Sequence, residues 1–190
     1  TSLPTRQAQK LSVIHQSALR LLNLINQILE FRKTETQNKK LCVCKSNIAP
    51  LVHEIGLKYK ELNQKKAIDF QIQIEKEEML LFFDKEIITI ILDNLISNAI
   101  KYTEHGTITI STVSYEMFTR IDISDTGSGI PENEQAKIFS RFYRSNAVQE
   151  QEGVGIGLYL ARQIISGESG YIKVASVPGK GSTFSIFLPK

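Results

Sequence analysis

Ile123-Ser124-Asp125-Thr126-Gly127-Ser128-Gly129-Ile130-Pro131 closes an apolar, alternating run with a carboxylate and then bends through two glycines. Met117 to Ser124 alternates as a strand does, so Asp125 stands at a strand end and the glycines let the following backbone approach a ligand closely. An ionised carboxylate accepts hydrogen bonds and cannot donate them. It would take the exocyclic amino protons of adenine and be unmatched by the carbonyl of guanine at the same place, where an unpaired buried group costs ~1 to 3 kcal/mol. Asp, Gly and Pro are also the ordinary residues of a turn, so this stretch alone leaves both readings open.

On the N-terminal side, Asp84 caps a helix that runs to about Tyr102, ends near His105-Gly106 and leads into the strand Thr107 to Val113. Asn94 and Asn98 are four apart on that helix and share one face, with Lys101 and Tyr102 a turn further on. Mg2+ takes hard oxygen ligands and keeps waters while bridging phosphates, so one or two Asn oxygens suffice when a nucleotide supplies the rest. The plain alternative is a solvated pair, although Asn is a poor interior helix former and these two sit beside Leu92, Leu95 and Ile96.

On the C-terminal side, Ile138-Phe139-Ser140-Arg141-Phe142-Tyr143-Arg144 reads as a short helix with Phe139, Phe142 and Tyr143 near one side, the usual signature of core. Arg144, which opens a polar stretch, could bind a terminal phosphate bidentately. Gly153-Val154-Gly155-Ile156-Gly157 runs directly into a helix beginning near Leu158, whose free N–H groups and dipole suit a phosphate. Neither this loop nor Gly179-Lys180-Gly181-Ser182-Thr183 has the Gly-x-x-x-x-Gly-Lys-Ser/Thr spacing, and the glycines do not follow the Gly-x-Gly-x-x-Gly dinucleotide pattern.

The order of these parts carries more than any one of them. An Asn-bearing helix, a strand with Asp-x-Gly-x-Gly, a Phe segment and Gly-x-Gly-x-Gly before a helix resembles the N box, first glycine box, F box and second glycine box of sensor histidine kinases. The resemblance covers Ser46 to Lys190 as their catalytic ATP-binding domain. It implies an α+β fold, a two-layer α/β sandwich shared with gyrase-type and chaperone-type ATPases. That fold has a mixed sheet, helices on one face and an ATP lid, here Arg144 to Gly155. It also implies ATP and Mg2+ as cofactors. Position by position, Asn98 and Asn94 would hold the metal, Lys101 and Arg144 would meet phosphates, and Asn98, Lys101 and Arg144 would serve the transfer. Tyr102 would line the nucleotide and Asp125 would read adenine, with Gly127, Gly129 and Ile130 shaping that pocket. Gly153, Gly155 and Gly157 would form the hinge and phosphate cradle, joined by Ile156, Leu158 and Thr183.

Further upstream, Leu11, Ile14, Ala18, Leu21, Ile25 and Ile28 keep one helical stripe apolar as a heptad seam, widened by Leu22 and Leu29. A single helix cannot bury such a stripe alone, so a second copy of the chain, a further helix, or both would cover it. Leu11 to Lys33 resembles the second helix of the kinases' dimerisation and phosphotransfer hairpin. Leu21-Leu22-Asn23-Leu24-Ile25-Asn26-Gln27-Ile28-Leu29-Glu30-Phe31-Arg32-Lys33 is similar in wording to hybrid two-component regulators of Bacteroides-type bacteria. Two units are therefore expected, 1–40 as a partial hairpin and linker and 41–190 as the catalytic domain. In the second, Leu41 to Lys45 reads as a strand and Asn47 to Lys65 as a helix capped by Asn47 or Ser46. The strands Ala67 to Ile74 and Met79 to Phe83 follow, and Tyr171 to Ser176 and Ser182 to Leu188 close the chain.

The composition fits. With 190 residues, 42% apolar and 23% charged, this is an ordinary globular chain, roughly one domain of ~150 residues plus a smaller element. Its net charge of +3 is scattered, which argues against a bulk grip on nucleic acid. Cys42 and Cys44 sit two apart in an apparent strand, too few and too misdirected for a disulfide framework or a zinc site, which suits a reducing compartment. No apolar run reaches the ~18 residues of a membrane span, and the start reads as a segment of something longer.

The resemblance implies transfer of the ATP γ-phosphoryl group to a His upstream of the fragment, then relay to the Asp of a response-regulator receiver domain. It further implies a homodimer through the hairpin, a cytoplasmic place in an inner-membrane sensor, and no nucleic-acid or membrane contact by this fragment. The family's acceptor pattern, His-Glu-x-x-Arg/Lys-Thr-Pro, is absent, so autophosphorylation of this chain is not expected. His53-Glu54 is followed by Ile55-Gly56-Leu57-Lys58 and is a decoy; His15 flanks the heptad seam and His105 falls in a turn. Two alternatives stand beside this: a degenerate nucleotide-binding dimer scaffold, and an ATPase or serine kinase of the same fold. Val154 where the family often has Thr, and Ser166-Gly167-Glu168-Ser169-Gly170 in place of a His-Gly-Gly-like stretch, are departures that bear on the lid.

Overall fold

The computed structural model describes residues 42–63, 67–144 and 155–190. The heptad helix, His15, the division near residue 40 and Gly153 lie outside these residues. The elements are β1 (Cys44–Asn47), α1 (Ile48–Leu62), β2 (Ile68–Ile74), β3 (Leu80–Phe83), α2 (Lys85–Tyr102), β4 (Gly106–Ser114) and β5 (Phe118–Asp125). They continue with α3 (Glu132–Gln135), a tighter 3-10 turn (Lys137–Phe139), α4 (Gly157–Gly167), β6 (Tyr171–Val177) and β7 (Gly181–Pro189).

Short polar side chains set the helix starts. The Asn47 side-chain oxygen accepts the Ala49 N–H at 3.2 Å and the Met79 N–H at 2.9 Å, capping α1 and tying it to the entry of β3. Asp84 Oδ1 accepts the Glu86 and Ile87 N–H groups at 3.0 and 3.3 Å, which starts α2. Asp84 Oδ2 accepts the Cys42 N–H at 3.0 Å. That bond explains why β1 begins later than its alternation predicts: pairing runs from Cys44 opposite Phe83 to Asn47 opposite Leu80, and Cys42 meets a side chain instead of a ladder.

The main sheet has the order β2-β4-β5-β7-β6, with β2 and β4 parallel and the other pairs antiparallel. A parallel pair needs a crossover, and the path from β2 to β4 supplies one through β3 and α2. Ile108, Ile110, Ile121, Ile123, Ile186 and Leu188 alternate along the three central strands and are wholly buried with Leu92, Leu95 and Ile96 of α2. The opposite sheet face carries Gln71, Gln73, Thr109, Ser111, Thr183 and Ser185, in register. The fold is thus a two-layer α+β sandwich with a mixed sheet and helices on one face, as expected. Among the described residues no helix is long and apolar enough to cross a membrane.

The aromatic segment departs from expectation. Phe139 is buried, but Ser140 is extended and Phe142 takes the left-handed conformation at φ 59°, leaving its ring 67% exposed. Phe139 and Phe142 therefore do not share a side. The Phe142 N–H donates to the Gly155 carbonyl at 2.9 Å, a contact between distant positions that local periodicity cannot show.

Candidate functional site

Four pieces of chain converge: the C-terminal half of α2, the loop after β5, the β6–β7 turn and the start of α4. Asp125 ends β5 opposite Ser182 of β7 and is 9% exposed. Its Oδ1 accepts the Gly127 N–H at 2.9 Å and the Ser182 N–H at 3.3 Å. These bonds fix the carboxylate's orientation and use one oxygen; among the described residues Oδ2 accepts none. Burial pushes the Asp125 carboxyl above the ordinary aspartate range, and the two N–H bonds oppose that shift.

The loop is pressed against α2. Ser128 donates its N–H to the Tyr102 carbonyl at 3.2 Å, and at Gly127 a Cβ would overlap that same carbonyl. Glycine here permits a close approach of backbone to backbone. Ser128 O accepts the Gly179 N–H at 2.8 Å, which joins the loop to the β6–β7 turn. Ile130 donates to Ser176 Oγ at 2.7 Å, and Gln135 Nε2 donates to the carbonyls of Ile130 and Ser176 at 3.1 and 2.8 Å. Gly129 lies at φ 69° against the Val177 carbonyl.

Asn94 and Asn98, one turn apart, are both partly buried. Gly157 rests directly on Asn94, since a Cβ there would overlap Asn94 Oδ1. Among the described residues no side chain caps the start of α4, which leaves its first N–H groups to a ligand or water. Ile156 is buried, Leu158 and Arg144 are partly buried, and Gly155 meets the Tyr143 carbonyl. Lys101 Nζ lies 4.9 Å from the centre of the Tyr102 ring, at the same end of α2 as the Asp125 loop.

The donor set can be tested against a nucleotide and its metal. A fixed carboxylate with an open oxygen, backbone-lined loops and an uncapped helix start suit a purine nucleotide. Among the described residues no group of three or more His, Cys, Asp or Glu could hold a metal ion, so amide oxygens fit Mg2+ only if phosphates and waters complete its shell.

Thr183 is the expected residue that the structure does not bring to this group. Its hydroxyl lies 2.9 Å from Ser124 Oγ on the opposite sheet face. Ser182 occupies the place beside Asp125. The signal was present: Ser182, Phe184, Ile186 and Leu188 alternate, so Ser182 belongs with the buried side and Thr183 does not. Ser176 and Gln135 were missed because their roles depend on contacts far apart in sequence. Cys42 and Cys44 are exposed free thiols, and His53 and His105 are exposed.

With this geometry in place, similarity to known proteins is informative. Residues 83–190 match the family described as histidine kinase-, DNA gyrase B-, and HSP90-like ATPases, and the chain belongs to that family. Within that family, the proteins it resembles are named histidine kinases. It is 33% identical over 187 residues to histidine kinase P4 of Formosa agariphila, covering 95% of this chain and 14% of that protein. It is 34% identical over 190 residues to the adaptive-response sensory kinase SasA of Rippkaea orientalis, covering 97% of this chain and 49% of that protein. The fold is similar to histidine kinase ThkA, solved in complex with response regulator protein TrrA, with TM-score 0.80 and 26% identity over 100% of this chain and 53% of that one. The chain spans about half or less of the length of the curated relatives it matches.

Proposed function

We propose that this chain is the ATP-binding catalytic part of a sensor kinase that passes the γ-phosphoryl group of ATP to a histidine on a dimerisation hairpin. The observation that carries the reading is Asp125, whose Oδ1 is held by two backbone N–H groups while Oδ2 has no partner among the described residues and can take an amino proton of the base. Phosphoryl transfer of this class depends mainly on positioning and charge stabilisation. Asp125 orients the base, with Gly127, Gly129 and Ile130 shaping the wall around it and Tyr102 lining the nucleotide. Lys101 and Arg144 offset phosphate charge. Gly155, Ile156, Gly157 and Leu158 offer the backbone at the start of α4; the resemblance adds Gly153, which lies outside the described residues. Asn98 and Asn94 would hold Mg2+, which supplies charge neutralisation across the phosphates when bound.

The remaining reading concerns the parent protein. Division near residue 40, dimerisation through the N-terminal hairpin, a response-regulator receiver as acceptor and a cytoplasmic position in a membrane sensor follow from the resemblance. The ThkA–TrrA complex supports a partner of that kind.

Calorimetric titration tests the site. Mg-ATP is expected to bind and Mg-GTP to bind far more weakly, and Asp125→Asn, which places a donor where an acceptor is needed, should weaken Mg-ATP by about 10-fold or more. No binding of either nucleotide to the intact chain would sink the proposal and favour a degenerate scaffold. Mixing the chain with Mg-ATP and a separate histidine hairpin should then label the hairpin and not this chain.

A further inference from the structure

Ser176 and Ser182 face each other across the β6–β7 ladder, with hydroxyl oxygens 2.9 Å apart. Ser176 Oγ accepts the Ile130 N–H at 2.7 Å and lies 2.9 Å from the Gly181 carbonyl, which can only accept. A serine hydroxyl has one proton and two lone pairs. Gly181 takes Ser176's proton, so the bond between the two serines uses the proton of Ser182. Ser176 is then saturated, donating once and accepting twice. Ser182, 7% exposed and opposite Asp125 in the β5–β7 register, is left with lone pairs alone. Beside Asp125 the Ser182 side chain therefore offers lone pairs, a second acceptor next to the carboxylate.

We propose that Ser176 is a positioning residue that sets base specificity: by taking the only proton of Ser182, it keeps a second acceptor beside Asp125. Two acceptors match the two protons of an exocyclic amino group, directly or through a bridging water, and leave a carbonyl at that position without a donor. The proposal rests on the reading of this site as an ATP site. Without the Ser176 hydroxyl, Ser182 regains a free proton and can donate to a carbonyl. The loop itself stays attached in that variant, because Gln135 still holds the carbonyls of Ile130 and Ser176, and the Gly179 N–H still reaches Ser128.

The test is titration of Mg-ATP and of Mg-ITP, whose base carries a carbonyl where adenine has its amino group, into the intact chain, Ser176→Ala and Ser176→Thr. The intact chain is expected to prefer ATP. Ser176→Ala should narrow the ATP-to-ITP affinity ratio by about 10-fold, and Ser176→Thr, which keeps the hydroxyl, should restore it. A purely structural role would weaken both nucleotides alike; an unchanged ratio in Ser176→Ala overturns the proposal. Should thermal melting show that Ser176→Ala does not fold, Ser182→Ala decides, since loss of the second acceptor must also narrow the ratio. Absence of an ATP preference in the intact chain would instead overturn the ATP reading, and is seen before any variant is made.

Discussion

Glu168 ends α4 as a carboxylate 9% exposed, whose Oε1 accepts the Asp84 N–H at 3.3 Å. Burial raises its pKa, the Asp84 N–H opposes the shift, and the neighbouring Asp84 charge adds to it. The folded chain thus holds this proton to higher pH than the unfolded chain does. Its contribution is fully favourable below the ordinary glutamate range and is lost as pH rises through the raised value. Glu168→Gln keeps the acceptor for Asp84 and removes the charge. The variant should melt about 2–4 °C higher near neutral pH and lose the acid-side gain, as thermal scans across pH would read. Thr183→Ala, by contrast, should leave Mg-ATP affinity within about 2-fold by calorimetry, because its hydroxyl serves Ser124 on the far face. At this scale the sequence was legible where a side chain acts on its immediate neighbours, as Asn47 and Asp84 do at their helix starts. Thr183, expected with the phosphate cradle on the resemblance alone, falls on the far sheet face by its parity along the strand.

Among elements, the β6–β7 turn shows how much one position can carry. Gly179 lies at φ 72° with open space where a Cβ would go, whereas Gly181, at φ 107°, would drive a Cβ into the Asp125 carbonyl. Gly179→Ala should cost about 1–2 kcal/mol, the price of the left-handed conformation. Gly181→Ala should cost at least ~3 kcal/mol and disturb the Asp125 end of β5, with urea unfolding separating the two. Helices and strands were readable from caps and alternation to within a few residues. The aromatic segment was not, because the left-handed turn at Phe142 depends on Gly155, beyond the reach of any local pattern.

For the molecule as a whole, the two layers divide the consequences of substitution. Ile110, wholly buried between sheet and helices, should cost about 2–5 kcal/mol when replaced by Ala. Its neighbour Thr109 faces the other side, and Thr109→Ala should cost less than about 1 kcal/mol in the same urea experiment. Apolar alternation announced a sheet with one covered face, but not the strand order or the parallel β2–β4 pair, which only the family resemblance anticipated as a mixed sheet. A pleated strand repeats every two residues, so the connection between Val177 and Gly181 has a rule of arithmetic built into it. A one-residue slip of β7 would turn Phe184, Ile186 and Leu188 toward water and put Thr183 beside Asp125 in place of Ser182. Over evolutionary time any change in the length of this connection has to be absorbed within the turn itself, leaving the parity of β7 untouched.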